Sequence, residues 1–435
     1  MSTSSGDDQA TAVKQLPAFL NASVLQRVLE ENLSDKPVRI DTFNAQLATQ
    51  PGDNYSSDVF TIVVHYNGGK EIRLVAKVIV DEEIMKNFGE RLSTFVKEVN
   101  TFRQLLPAFS RIVSGSNAAN PVQFGARCFY ANRDPLDTIV FEDLKALGFR
   151  MPDRTRGGLD LAHCELIMRK IGLFHAASMV YVKGETFDKQ FFAERYSHGM
   201  ARPGDNEQNN PALAMFSKGL DKFLEVSHAW PELKRTIWLK LQALKPTYNR
   251  RLLKSLSPEG PDEEVTFRVL NHGDLWSNNM MFRYDDPADD ASVREVMFVD
   301  FQLSSYGSPG LDLVYCLHNC PQFEVRETRT EYLLQIYHHS LCEGLSAGGY
   351  ERNHFPTFAN VQKEYERHEF IGLVSGLSML PIILMERTEG VKLTFENLVD
   401  AKDAEKIRNI QYQGKLYRKS VISILERCDA KGLLD

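Results

Sequence analysis

The sequence predicts an α+β fold in two lobes, a small antiparallel-sheet N-terminal lobe and a large, mainly helical C-terminal lobe. Three observations lead there. The chain has 435 residues, too many for one ordinary core, so two packed units sharing a cleft are expected. Strand-length apolar runs at 59–66 and 72–80 flank Asn67-Gly68-Gly69, a hairpin signal. Beyond about residue 160, apolar side chains recur mostly at helical spacing.

Composition narrows the function classes. Hydrophobic residues make up 43% and charged residues 25%, both globular values. A net charge of -7 gives no basic footprint for nucleic acid and suits an anionic membrane surface poorly. The six cysteines (Cys128, Cys164, Cys316, Cys320, Cys342 and Cys428) are scattered without a C-x-x-C pair. That pattern fits a reduced, cytoplasmic protein. Cys316, His318 and Cys320 sit in an apolar helical stretch, so they read as core residues rather than zinc ligands. The start M-S-T-S-S-G-D-D-Q lacks a basic n-region and an apolar h-region, which argues against a secretory signal. Residues 1–16 read as a disordered tail, and no run has transmembrane length.

The elements follow in order. After Pro17 a helical face is formed by Phe19, Leu20, Val24, Leu25, Val28 and Leu29. A first strand is expected at 40–47, before P-G-D-N-Y-S-S at 51–57, a turn where backbone N–H groups can approach an anion. The hairpin then places Lys77 inside L-V-A-K-V-I-V, where a buried ammonium needs a partner. A helix over 84–106 carries Glu98 among Val96, Val99, Phe102, Leu105 and Leu106. Strands at 123–131 and 138–141 close the N-terminal lobe, assigned to 17–141. Residues 142–146 form the connection to a C-terminal lobe of 147–435. A central helix spans 161–177, and His175 within it reads as a core histidine. The aromatic-rich block 180–264 reads mostly as helix-packing core, with a minority of its aromatics free to line an apolar pocket. Later come an apolar core helix over 370–384 and a mixed-charge final helix over 404–425.

The chemistry concentrates in V-L-N-H-G-D-L-W-S-N-N-M-M-F, followed by V-M-F-V-D-F-Q. Apolar runs flank the polar cluster, so a strand–loop–strand unit should bring Asp274, Asn279 and Asp300 together. An Asp and an Asn offer the hard oxygens that Mg²⁺ prefers, with water and phosphate completing its shell. A second Asp can orient a hydroxyl and take its proton. That is nearly all that phosphoryl transfer asks of a protein. Asp312, in G-S-P-G-L-D-L, opens a buried helix and can accept backbone N–H bonds from the loop before it.

The H-x-D-x-x-x-x-N spacing resembles the catalytic loop of the kinase superfamily, with V-D-F-Q in the place of D-F-G. H-G-D and the missing Gly after Phe301 point to its small-molecule kinases, and the short segment before Asp312 argues against a protein substrate. With P-G-D-N-Y-S-S, F-E-D-L-K-A-L-G-F, D-R-T-R-G-G-L-D and F-H-A-A-S, the chain resembles the ecdysteroid kinase-like family of arthropods. That family is a branch of the choline/aminoglycoside kinase group. The resemblance implies a bilobal protein kinase-like fold, ATP and Mg²⁺ as cofactors, and a small hydroxylated, lipophilic acceptor. It implies Asp274 as catalytic base, and Asn279 and Asp300 as metal ligands. Lys77, held by Glu98, would contact phosphate under a turn containing Gly52, Asn54, Tyr55 and Ser56. The Glu142 carbonyl and Leu144 N–H would meet adenine, with His272 and Asp312 bracing the loop. Other acceptors stay open, namely choline, a xenobiotic alcohol or a glycoside, as does a non-catalytic nucleotide-binding role.

Overall fold

The structure, a computed structural model, describes residues 15–48, 57–79, 83–115, 118–184, 187–258, 264–385 and 410–435. Contacts group the chain into two compact units, 1–80 with 128–143, and 81–127 with 144–435. Helices at 83–114 thus cluster with the larger unit.

The smaller unit is a five-stranded antiparallel sheet with one helix. Its elements are α1 (Ala22–Asn32), β1 (Ile40–Leu47), β2 (Ser57–Tyr66), β3 (Lys70–Ile79), β4 (Cys128–Asn132) and β5 (Thr138–Glu142), with strand order β1-β2-β3-β5-β4. Asn21 caps α1, its side chain accepting from the N–H groups of Ser23 and Val24. Asn67, Gly68 and Gly69 all take positive φ, the backbone a tight β2–β3 turn requires. Alternation then sends Phe60, Ile62 and Val64 of β2 and Leu74, Ala76 and Val78 of β3 into a core with Leu25, Val28 and Leu29. Lys77 points the other way. It is paired with Val59 and Ile139 across the sheet and is buried.

The larger unit begins with α2 (Glu83–Leu92), α3 (Thr94–Asn100) and α4 (Leu106–Ser114). One continuous helix was the expectation for this stretch. It breaks at Ser93, in the left-handed region, and passes through a π segment at Thr101–Leu105. Pro107, which has no N–H to give, lies two residues beyond the end of that segment. Next come α5 (Leu161–Tyr181), α6 (Lys189–Arg195), α7 (Pro211–Ser227) and α8 (Arg235–Ser255). Two short ribbons follow: β6 (Val269–Asn271) pairs with β9 (Ser305–Gly307), and β7 (Met280–Tyr284) with β8 (Val293–Phe298). The chain ends in α9 (Gly310–Asn319), α10 (Phe323–Ala347), α11 (Phe358–Arg367), α12 (Glu369–Ser378), α13 (Leu380–Ile383) and α14 (Lys415–Ala430).

Helix α5 is buried over most of its length and packs on α10, which makes it the spine of this unit. Two further departures from the sequence reading have local causes. The expected strand at 123–131 is extended but pairs only from Cys128, because Phe124 instead gives its carbonyl to the Phe298 N–H. The expected helix at 370–384 is interrupted at Met379, since Pro381 cannot donate to the Leu377 carbonyl. The Tyr412 hydroxyl donates to that carbonyl at 2.9 Å instead. Among the described residues, no helix is long and apolar enough to cross a membrane.

Candidate active site

Strand β6 is wholly buried and delivers the chain into His272-Gly273-Asp274. Gly273 has φ +84, and a Cβ there would lie 2.0 Å from the Leu303 carbonyl oxygen. No larger side chain fits that crossing, which explains H-G-D in place of an Arg-containing loop. Asp312, in the first turn of α9, grips the same backbone. Its Oδ2 accepts from His272 N at 2.6 Å and its Oδ1 from Gly273 N at 2.9 Å. Behind it, His175 places Nε2 at 3.2 Å from Asp312 Oδ2 and Nδ1 at 2.8 Å from the Tyr337 hydroxyl. So the core histidine is held by side chains, not by backbone.

His272 has a defined tautomer. Nε2 lies 3.0 Å from the Val299 carbonyl, an acceptor only, so it carries the proton. Nδ1 accepts from Asp274 N at 3.3 Å. Burial holds the imidazole below its ordinary pKa, which keeps it neutral in this role. Its ring also packs on Phe301 of V-D-F-Q, with centroids 4.5 Å apart. His272 therefore ties the Asp274 loop to the segment carrying Asp300.

Asp274 and Asn279 meet directly. Asn279 Nδ2 donates to Asp274 Oδ2 at 2.8 Å and to the Asp274 carbonyl at 2.9 Å. Its amide oxygen is the atom left to face a cation. Asp300 adopts φ +65, an uncommon conformation for a non-glycine residue, and Gln302 Nε2 reaches its Oδ2 at 3.5 Å. The Asp274 carboxyl is pushed up to about 7, first by burial and then by the Asp300 carboxylate. Hydrogen bonds from Asn279, Tyr315 and Trp276 oppose the shift without cancelling it.

Two carboxyl groups this close suit a divalent cation, which replaces repulsion with attraction. The donor set also fits Mg²⁺, a hard ion usually held by one or two protein carboxylates with water and phosphate oxygens. Among the described residues, no group of three or more His, Cys, Asp or Glu side chains forms a metal cage.

A small pocket adjoins this loop. It has a volume of about 20 Å³, room for about one water or a methyl-sized group. Gly273 and Tyr315 face it, and Met200, Leu256, Leu311 and Ile371 supply apolar walls. Ser305 also lines it, fully buried, with no hydrogen-bond partner for its hydroxyl among the described residues. None of its lining residues is charged.

The remaining expected site residues belong to both units. Lys77 is buried on β3 of the smaller unit, and Glu142 ends β5 there. Glu98, also buried, lies on α3 of the larger unit. Leu144 is buried at the start of that unit's second segment, its carbonyl accepting from Leu147 N and Phe149 N. Gly52, Asn54, Tyr55 and Ser56 lie outside the described residues. Sequence reasoning did not single out Tyr315, which donates to Asp274, or Ser305. Tyr315 had a usable signal, being one helical turn beyond Asp312 on α9.

A family model described as the ecdysteroid kinase-like family matches residues 51–350. The chain belongs to that family. It is a small-molecule kinase, a phosphotransferase that acts on a hydroxyl acceptor, with a kinase-like α+β fold. No curated protein sequence matches it. Among solved structures, the kinase is similar to a macrolide 2'-phosphotransferase from Brachybacterium faecium, at 10% identity and a TM-score of 0.36. That similarity covers 91% of this chain and 98% of the other. A glucosamine kinase shows 12% identity and a TM-score of 0.27, over 92% of this chain and 94% of its own. At such scores the family match alone carries the assignment.

Proposed function

We propose that the kinase transfers the γ-phosphoryl group of ATP to a hydroxyl of an ecdysteroid or a similar neutral, lipophilic alcohol. The observation that carries the reaction is the Asp274 carboxyl group, held by Asn279 and Tyr315 with the Asp300 carboxylate acting on it, and the family match supports the acceptor class. The new bond joins the acceptor oxygen to the γ-phosphorus, and the bond from that phosphorus to the bridging oxygen of ADP breaks. The acceptor proton passes to Asp274. A base with a pKa near 7 is matched to that task at neutral pH.

Mg²⁺ at Asn279 and Asp300 supplies charge neutralisation on the transferring phosphate. Lys77 takes the part of the phosphate-contacting lysine and Glu98 that of its carboxylate, with residues 52–57 covering the phosphates. The Glu142 carbonyl and the Leu144 N–H are assigned to adenine, with 142–146 as hinge between lobes of 17–141 and 147–435. Asp312 and His272 brace the loop from beneath. The six cysteines are all free thiols, which favours a cytoplasmic, reducing compartment.

A choline acceptor would call for an aromatic or acidic cage for its cation. The test is mass spectrometry of reactions holding Mg²⁺-ATP with ecdysteroids, other steroid and plant alcohols, choline and an aminoglycoside. A phosphorylated steroid or other lipophilic alcohol is the expected product. Phosphorylation confined to choline or the aminoglycoside would overturn the acceptor class and leave the reaction. ATP binding with no product from any acceptor would point to a regulator.

A further inference from the structure

Lys97 is an unexpected residue to bury. It is fully enclosed on α3, next to Glu98. Among the described residues its ammonium donates to two backbone carbonyls, His198 O at 2.8 Å and Ser304 O at 3.0 Å. The charge that acts on it most is Arg202, of the same sign. Burial drags its pKa down to about 7. A methionine or leucine would fill the space without that desolvation cost, so the amine is there for what it joins.

What it joins is specific. The residue after His198 is Gly199, followed by Met200, and the residue after Ser304 is Ser305. Gly199, Met200 and Ser305 all line the pocket beside Asp274. The two segments already touch. A Cβ on Gly199 would lie 3.2 Å from the Leu303 carbonyl oxygen and 3.1 Å from Ser305 Oγ. Tyr306 N donates to the Tyr196 carbonyl at 2.7 Å. The Tyr196 hydroxyl in turn donates to the Lys97 carbonyl at 3.2 Å, so α3 and both segments form one closed circuit. The Ser304 side chain extends it to the catalytic loop, its Oγ lying 3.3 Å from the His272 carbonyl.

We propose that Lys97 is a positioning residue: its ammonium holds the 198–200 and 304–305 segments together as one wall of the small pocket beside Asp274, and so sets how the acceptor is held at Asp274 without touching ATP. This rests on the kinase reading for its kinetic readout only. The experiment compares wild type, Lys97→Met and Lys97→Arg in the full chain. The first readout is hydrogen–deuterium exchange of 198–200 and 304–306 in the free protein. The second is KM for the acceptor against KM for ATP.

The expected result is faster exchange in both segments of Lys97→Met, with exchange in α5 and α10 unchanged. Acceptor KM should rise about tenfold or more while ATP KM stays within about twofold, with partial recovery in Lys97→Arg. Unchanged exchange at both segments would overturn the proposal. So would an equal loss of ATP and acceptor affinity together with faster exchange throughout the larger unit, which would mark a purely structural lysine. If the wild type phosphorylates no alcohol, the functional reading fails, and the exchange comparison still decides the role of Lys97.

Discussion

The catalytic loop and the buried bases around it treat charge in opposite ways. At the loop, polar groups converge on carboxylates. Asp312 receives two backbone N–H groups and His175, and Asp274 receives Asn279, Tyr315 and Trp276. Three other buried bases instead face neutral carbonyls. Lys97 has His198 O and Ser304 O, His318 Nδ1 has Val314 O at 3.0 Å, and His368 Nδ1 has Ser255 O at 2.7 Å. Burial pushes all three bases down, to about 7, about 3 and about 4 respectively. The carboxylates are placed where negative charge is useful and is supported by donors. The bases serve as hydrogen-bond struts, most comfortable with little or no charge.

The largest effect expected from that difference is on stability against pH. His318 and His368 are fully enclosed, and their folded pKa values lie below the ordinary 6.5. Their contribution is therefore complete above about pH 6.5. It is lost as pH falls toward about 4 and then 3, because the unfolded chain takes up protons that the folded chain resists. Each group's share is on the order of a few kcal/mol. Denaturant unfolding at pH 7, 5 and 4 should show a progressive loss, smaller in His368→Gln. A flat profile would remove the contrast between the two sets of groups.

Asp312→Ala comes next. It leaves the His272 and Gly273 N–H groups buried without acceptors, at about 1–3 kcal/mol each. Chemical denaturation should find the variant several kcal/mol less stable, with Asp312→Asn between it and wild type. Asp300→Ala should weaken Mg²⁺-dependent nucleotide binding by at least about tenfold, in keeping with loss of a metal ligand. Calorimetric titration with and without Mg²⁺ would expose the opposite outcome, an affinity that does not change. Ser305→Ala is expected to be the mildest, because its hydroxyl has no hydrogen-bond partner among the described residues. Folded stability should move by less than about 0.5 kcal/mol, and any change should appear in acceptor KM. A large stability loss there would mean that the hydroxyl is not held for the pocket.

Local pattern made much of this legible. The β2–β3 hairpin was readable because alternating apolar residues and Asn67-Gly68-Gly69 each dictate it independently. The loop was readable because Asp274 and Asn279 lie five residues apart, and Asp300 follows a single hairpin. Lys97 was not readable. In V-K-E-V it looks like any solvated helix lysine, and its partners lie 101 and 207 residues away. The same holds for the pocket, whose walls come from five separated stretches of chain. The breaks near Pro107 and Pro381 had a visible cause. Their compensation, such as the Tyr412 hydroxyl on the Leu377 carbonyl, depends on tertiary packing.

Asp274→Asn puts the central claim to its most direct test, with turnover on a phosphorylated alcohol and ATP affinity measured on one preparation. The substitution keeps the size of the side chain and its contact with Asn279. Turnover should fall by about 10²–10⁴, while ATP affinity stays near wild type. Full turnover in that variant would contradict the account and take Asp274 out of the reaction.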